Sequence, residues 1–160
     1  MAKRSSAKPK QPRSAIVNRR AKFDYTLEDT LMVGISLTGQ EVRAAREGHV
    51  QLKGSFVSVR SNELWLNNAS FSLKLNEKGN PNGRSVDTRA RRLLAKRREI
   101  DALIAKKQQG MSIVPTKLLA SGRFIKIVIA LGKGKKTYDK RETIKQRDQD
   151  RETKRAMKRY

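Results

Sequence analysis

Residues 34–46 have the sequence GISLTGQEVRAAR, in which the end of an apolar run leads directly into the start of a helix. Thr38 and Glu41 have the S/T-x-x-E spacing of a capping box, in which each side chain satisfies a backbone amide of the other residue. The helix is predicted to continue to about Glu47, and Gly48 is predicted to stop it. The passage therefore predicts a strand, a turn and a short helix in immediate succession.

Short strands are predicted on both sides of this helix, because the flanking segments alternate apolar and polar residues or carry short apolar runs. The predicted strands are 31–37, 49–52, 55–60, 64–66 continuing through 69–75, 113–119 and 124–131. Since they are short and mostly adjacent along the chain, they favour an antiparallel barrel over a parallel sheet. A mainly β barrel of about six strands with flanking helices is typical of the OB-fold, which often binds RNA.

Two segments between the strands carry other predictions. Residues 76–86 contain Gly and Pro and are predicted to form a loop. Residues 88–109 have a helical composition and an apolar stripe at helical spacing, which predicts one helix or two with a break near Lys96. Six bases fall on the opposite face of this predicted helix: Arg89, Arg91, Arg92, Lys96, Arg97 and Arg98.

Positive charge is spread along the chain in three blocks. The 160 residues carry 38 Lys and Arg against 15 Asp and Glu, a formal charge of +23. Residues 1–22 carry +8, residues 23–131 carry +8 and residues 132–160 carry +7. Because apolar residues concentrate in the middle, we expect a disordered basic arm at 1–17, a folded body at 18–131 and a basic tail after it. The tail lacks an apolar face, so it is expected to be disordered alone and helical on a partner.

The composition excludes several kinds of active site. With no cysteine and one histidine, His49, the chain has no thiolate nucleophile, no disulfide and no set of Cys or His metal ligands. Glu28 and Asp29 are an adjacent acidic pair without a histidine or metal-ligand partner at a recognisable spacing. The longest apolar run, 127–131, is too short to span a bilayer. We therefore expect a cytoplasmic, monomeric, non-enzymatic protein without cofactor, metal, small-molecule substrate or membrane partner.

The large positive charge favours a polyanionic partner, and the clustered bases favour RNA. Aromatic residues are few, with four Phe, three Tyr and one Trp. Four of them, Phe56, Trp65, Phe71 and Phe124, lie in apolar segments and are predicted to be in the core. With few exposed rings, the chain is expected to recognise folded RNA by shape and backbone. Tyr138 is the exception, since its basic segment offers nothing to bury it, and base stacking is predicted there.

Four stretches of the chain together resemble the small protein B family, the SsrA-binding proteins of bacterial trans-translation. They are NRRA at 18–21, GISLTGQEVRAAR at 34–46, KRREI at 96–100 and KGKKTYDKR at 133–141, in this order and spacing. The resemblance implies an OB-like barrel that binds the tRNA-like domain of transfer-messenger RNA (tmRNA, or SsrA RNA) around its elbow and D-loop. It also implies that the tail enters the vacant decoding site and mRNA channel of a stalled ribosome as a helix. Such a protein is an adaptor without a catalytic step.

The resemblance also implies site residues, position by position. The positions implied for tmRNA are Asn18, Arg19, Arg20, Lys22, Arg43, Arg46, Leu94, Lys133, Lys135 and Lys136. The positions implied for the decoding site of the small ribosomal subunit are Tyr138, Asp139, Lys140 and Arg141. One position departs from the family, which commonly has an acid two residues before the strand glycine where this chain has Met32. A basic structural ribosomal protein, a general RNA chaperone and an RNA-processing enzyme remain alternatives on composition alone.

Overall fold

The computed structural model describes residues 15–75, 83–107 and 110–157. Within these ranges the chain forms ten strands and four helices. In chain order they are β1 (Ile16–Val17), α1 (Arg19–Asp24), β2 (Tyr25–Ile35), α2 (Gly39–Arg46), β3 (Val50–Gln51), β4 (Phe56–Arg60), β5 (Glu63–Asn67), β6 (Ser70–Lys74), β7 (Arg84–Asp87), β8 (Arg91–Leu94), α3 (Arg97–Lys106), β9 (Met111–Leu119), β10 (Lys126–Gly134) and α4 (Thr137–Met157). The arm predicted at 1–17 lies outside the described residues as far as residue 14.

Two antiparallel sheets make up the fold. The larger has the strand order β1-β9-β10-β2-β8-β5-β4, and an additional pairing of β4 with β9 joins six of these strands into a ring. The smaller sheet has the order β3-β6-β7. The prediction of a mainly β, OB-like fold of about six strands with flanking helices is confirmed. The ring closes through one registered pair, Val57 opposite Ile113, and is therefore less completely hydrogen-bonded than a strict barrel.

The core is apolar because alternate residues of each ring strand point to the same face. Its buried residues on the ring strands include Val33, Ile35, Leu64, Leu66, Leu93, Ile113, Ile127, Ile129 and Leu131. Helix α3 adds Ile100 and Leu103 to the same cluster. Burial of these side chains is the main favourable contribution to folding.

Helix α2 begins and ends where the sequence predicts. The Thr38 hydroxyl accepts a hydrogen bond from the Glu41 amide at 3.4 Å, and the Thr38 amide donates to the Glu41 carboxylate at 2.7 Å. Past the helix, Gly48 has a φ of +78°, a left-handed conformation that glycine adopts without strain. The buried residues Ala44 and Ala45 share one side of the helix, which leaves the other side to solvent.

The segment 88–109 is only partly helical: the predicted helix after a break near Lys96 is confirmed, whereas the prediction of a helix before that break is wrong. Arg91–Leu94 form strand β8, which lies between β2 and β5 in the ring, and only Arg97–Lys106 form a helix. Leu93 is buried opposite Ile35 of β2 and also pairs with β5. Strand pairing on both sides, together with burial, therefore outweighs the local preference of these residues for a helix.

Two further stretches of strand lie where the sequence predicts a loop or the tail. Residues 84–86 of the predicted loop belong to β7 (Arg84–Asp87), and residues 76–82 of that loop lie outside the described residues. Strand β10 continues into the predicted tail, because residues 132–134 pair with residues 25–27 of β2. The first part of the KGKK stretch is therefore strand, and helix α4 begins at Thr137.

Candidate nucleic-acid interface

Asn18 anchors helix α1 to the ring. Its side-chain amide donates to the backbone carbonyls of Leu52 and Pro115, both at 2.9 Å. Its Oδ1 accepts a hydrogen bond from the Ala21 amide at 3.2 Å, which makes Asn18 the N-cap of α1. Because the side chain is buried and its amide is engaged on both sides, Asn18 positions the bases that follow it and does not itself face solvent. An Asn directly before a helix is the sequence signal for this role.

The start of the tail lies against α1. The Lys135 amide donates to the Asp24 carbonyl at 2.9 Å, and Lys135 Nζ donates to the Lys22 carbonyl at 3.3 Å. Two segments 113 positions apart thus form one basic surface, which we call the junction surface. Its bases are Arg19, Arg20, Lys22, Lys133, Lys135 and Lys136, all at least partly exposed.

Asp24 links the two sides of the junction surface. Its carboxylate pairs with Arg20 at 2.8 Å and with Lys140 of α4 at 3.0 Å. Burial by itself would raise the pKa of Asp24, but hydrogen bonds and charges from Lys140 and Arg20 outweigh it and hold the pKa below its usual value. Asp24 is therefore ionised at neutral pH and joins α1 to the first turns of α4.

The four positions implied for the decoding site lie in the first turns of α4 and take different roles there. The Asp139 carboxylate accepts a hydrogen bond from the Lys136 amide at 3.3 Å, which caps the start of the helix. Lys140 turns toward α1. Tyr138 and Arg141 are exposed, so the Tyr138 ring and the Arg141 guanidinium are available to a partner.

Helix α2 presents a second basic surface, the α2 surface, formed by Arg43, Arg46, Arg123 and Phe124. Arg43 and Arg46 are exposed, and Arg46 Nη2 donates to the Arg123 carbonyl at 3.4 Å, which ties α2 to the β9–β10 connection. The Arg123 guanidinium lies 5.3 Å from the centre of the Phe124 ring. Arg46, Arg123 and the Phe124 ring are therefore close to one another, and Arg43 lies on the same helix as Arg46.

A buried ion cluster supports α2. The Glu41 carboxylate accepts hydrogen bonds from Arg89 at 2.7 and 3.0 Å and from Arg91 at 2.9 Å. Arg91 is fully buried, donates to the Ala69 carbonyl at 3.0 Å and lies 3.9 Å from the centre of the Phe71 ring. The strand β8 is thereby fixed to the helix that carries Arg43 and Arg46.

The charge state of Glu41 follows from these partners. Burial by itself would raise its pKa, but hydrogen bonds from Arg89 and the Thr38 amide and the charge of Arg91 outweigh burial and hold the pKa below its usual value. Arg89 and Arg91, expected on an exposed helix face, instead neutralise a buried carboxylate. The sequence signal for Glu41 was its capping-box position, which does not indicate these partners.

Leu94 lies on the outer face of the ring and is 54% exposed. It is directly opposite Gly34 of β2, where an added Cβ would lie 3.2 Å from Leu94 Cβ. Gly34 therefore gives Leu94 room to lie over the neighbouring strand. Met32, two residues before Gly34 on the same strand, is also exposed, so the side chains of Met32 and Leu94 are both apolar and solvent-accessible.

The aromatic residues divide differently from the prediction. Phe71 is completely buried, as expected, and Trp65 is half-buried. Phe56 and Phe124 are 47% and 69% exposed, so the prediction that both belong to the core is wrong. Each stands at or before the first residue of a strand, where the alternation pattern does not determine which way a side chain faces.

Within 15–75, 83–107 and 110–157, no group of three or more His, Cys, Asp or Glu residues is placed to hold a metal ion. His49 lies 3.7 Å from the Glu47 carboxylate at the surface. In the same ranges, no helix has both the length and the apolar character needed to cross a membrane.

Replacing Gly132 with alanine is expected to weaken the pairing of β10 with β2. An added Cβ would lie 3.0 Å from Tyr25 Cβ and 3.2 Å from two of the ring carbons, so the ring must move. Overpacking of this kind costs about 1–3 kcal/mol, and we expect a lower Tm. Gly134→Ala is the matched control, because its added Cβ has nothing within 4 Å. Equal Tm values for the two variants would contradict the prediction.

Comparison with known proteins agrees with the motifs. The family model described as "SmpB protein" matches residues 15–159. An SsrA-binding protein of Halalkalibacterium halodurans is 44% identical over 142 residues, which cover 88% of this chain and 90% of the relative. The SsrA-binding proteins of Streptococcus mutans and Trichodesmium erythraeum are each 43% identical over 144 residues, covering 89% of this chain and 91% of each relative.

A similar solved structure supports the same assignment. It is described as "tmRNA-SmpB: a journey to the center of the bacterial ribosome" and has a TM-score of 0.60 at 36% identity, covering 77% of this chain and 85% of the other. Sequence and fold therefore agree over most of the chain. On these grounds, the chain belongs to the SmpB protein family.

Proposed function

We propose that this protein is a non-enzymatic, cytoplasmic adaptor that binds the tRNA-like domain of tmRNA and delivers it to stalled ribosomes for trans-translation. Family membership supports the RNA partner, since the relatives are named for SsrA binding and the similar structure is described as tmRNA-SmpB in the ribosome. The observation that carries the proposal is the junction surface, where the bases of α1 and of the tail start meet. One basic surface on the body is thereby joined directly to the tail.

The body is the RNA-binding part of this adaptor. Lys and Arg of the junction and α2 surfaces neutralise phosphates and release counterions, and a folded RNA is recognised by its backbone shape. Leu94 adds an apolar contact on the outer face of the ring, while Asn18 acts by holding α1 in place. Affinity for tmRNA should accordingly fall steeply as salt is raised.

The tail is the ribosome-binding part. No residue of α4 is buried, and a helix without an apolar face is marginal by itself and gains stability on a polyanion. In the decoding site, Tyr138 would stack on a base and Asp139, Lys140 and Arg141 would contact ribosomal RNA. Lys140 is held by Asp24 in the structure, so engaging it requires exchanging one anionic partner for another.

Replacing Arg43 and Arg46 together with alanine is expected to weaken tmRNA binding and to flatten its salt dependence by up to about two phosphate contacts. The α2 surface loses two guanidinium groups, and the fold should remain, because both side chains are exposed. Gel-shift titrations at several salt concentrations measure the slope. Arg97→Ala with Arg98→Ala on α3 makes the same change in charge elsewhere and should leave the slope near the wild-type value. An unchanged slope for the α2 pair would place the RNA elsewhere.

The experiment that tests the proposed function is recovery of RNA bound to the full-length protein in cells, followed by sequencing. One dominant tRNA-like species is expected. Stoichiometric recovery of all ribosomal components without that species would instead indicate a structural ribosomal protein.

A further inference from the structure

Residues of helix α1 and of strands β4 and β9 line an open groove with a volume of about 680 Å³. This volume is within the range of about 300–1,000 Å³ found for ligand sites. The groove lies where the ring is least closed, because β4 and β9 meet at one registered pair, Val57 opposite Ile113. It is therefore a consequence of how the strands are joined.

The lining of the groove is predominantly positive. Arg20, Lys53 and Lys107 contribute three cations, and Asp24 contributes a carboxylate. That carboxylate is already paired with Arg20 and with Lys140, so it does not cancel the charge of Lys53 and Lys107. The remaining field favours an anionic ligand.

Phe56 adds an aromatic surface to this lining and is 47% exposed. An exposed ring next to cations is the arrangement with which proteins bind single-stranded nucleic acid, since every base has a face that can stack on it. An acidic peptide would match the cations but would make no use of a planar ring. The combination of ring and cations therefore favours a nucleotide.

We infer that this groove binds a short single-stranded segment of RNA, with one unstacked base on the Phe56 ring and the adjoining phosphates at Lys53 and Lys107. The inference rests on the proposed function and adds to it, since the junction and α2 surfaces are expected to bind folded RNA by shape. Arg20 belongs both to the junction surface and to the groove, so RNA bound at the first is next to the second.

The test uses the full-length protein and fluorescein-labelled octauridine, with binding followed by fluorescence anisotropy. Phe56→Leu keeps an apolar side chain but removes the ring, and it should bind about ten-fold more weakly. Phe56→Trp keeps a stacking surface and should bind at least as tightly as the wild type. Val86→Ala, which shortens an exposed apolar side chain on the smaller sheet, is the control and should leave binding unchanged.

The phosphate contacts are tested through salt dependence. Lys53→Ala with Lys107→Ala should reduce the slope for octauridine by about 1.4, which is two single-strand phosphate contacts. In tmRNA substituted with 4-thiouridine, photo-crosslinks should include the peptide that contains Phe56.

Three results would overturn the inference. Wild-type affinity of Phe56→Leu for octauridine would remove the stacking contact, and crosslinks confined to other peptides would remove the groove from the RNA path. Equal competition by octaglutamate, unaffected by Phe56→Leu, would show a site for acidic peptides.

The failure of the groove inference can be distinguished from the failure of the proposed function. If the wild type binds octauridine through Phe56 but does not bind tmRNA, the proposed function fails and the groove inference stands. If it binds tmRNA and Phe56→Leu has no effect on octauridine, the groove inference alone fails.

Discussion

A chain that ends at Lys136 should still bind tmRNA but should support no tagging of nascent chains on stalled ribosomes. The truncation removes α4, which has no buried residue, and leaves every strand of the ring in place. The junction surface keeps its six bases, so we expect the RNA affinity to stay within roughly one order of magnitude of the wild type. Tagging is lost because the proposed decoding-site contacts are all beyond the cut.

The position of the cut matters because β10 extends beyond the predicted end of the body. Removing residues 132–160 would also remove the pairing of 132–134 with 25–27 of β2. Loss of tagging by that shorter chain would then combine a missing tail with a damaged body. A cut after Lys136 separates the two effects.

Tagging is measured by incorporation of the tmRNA-encoded peptide in a reconstituted translation reaction, and RNA binding by gel shift. The triple replacement Asp139→Ala, Lys140→Ala and Arg141→Ala in the full-length chain is the finer variant, expected to lose tagging with RNA binding retained. Tagging by the truncated chain at the wild-type level would disprove the role proposed for the tail. A large loss of RNA affinity in the triple variant would place Asp139, Lys140 and Arg141 in the tmRNA interface instead.

Replacing Glu41 with glutamine is expected to lower the free energy of unfolding by about 3–5 kcal/mol, because it removes the carboxylate 2.9 Å from the buried guanidinium of Arg91 and leaves the partly exposed Asp87 carboxylate at 3.6 Å. The substitution also weakens the capping box, since the Glu41 carboxylate accepts from the Thr38 amide. Urea unfolding measures the change. Glu47→Gln at the opposite end of the same helix is the matched control, because Glu47 makes partly exposed pairs at 3.7–3.9 Å, which contribute about 0–1 kcal/mol. Equal losses for the two variants would contradict the role of the buried cluster.

The same carboxylate predicts how stability depends on pH. The pKa of Glu41 is lower in the folded protein than its usual value, so its contribution is fully present above the ordinary glutamate pKa that applies in the unfolded chain. The contribution is lost as the pH falls through the lowered folded pKa. The difference in unfolding free energy between wild type and Glu41→Gln should therefore be constant near neutrality and shrink in acid. A difference independent of pH would show that the charge of Glu41 is not what stabilises the cluster.

The parts of the fold that the sequence predicts correctly rest on interactions between near neighbours. The capping box joins Thr38 to Glu41 three residues away, and Gly48 ends the same helix through its own backbone conformation. Most ring strands show the two-residue alternation that one buried face requires. Conversely, Arg91–Leu94 form a strand because β2 and β5 pair with them on both sides. No local sequence pattern indicates these pairings.

The sequence alone predicts a basic, mainly antiparallel β protein with four motifs in the order of the SmpB family, because composition, alternation and capping are local properties. The positions of the basic side chains and aromatic rings depend instead on the tertiary fold. In the folded chain, Arg91 is buried against Glu41 and Phe56 is exposed. Lys135 contacts Lys22, which is 113 positions away in the sequence. The physical reason is that strand register and burial depend on which distant segments pair, and those pairings outweigh the preferences of single residues.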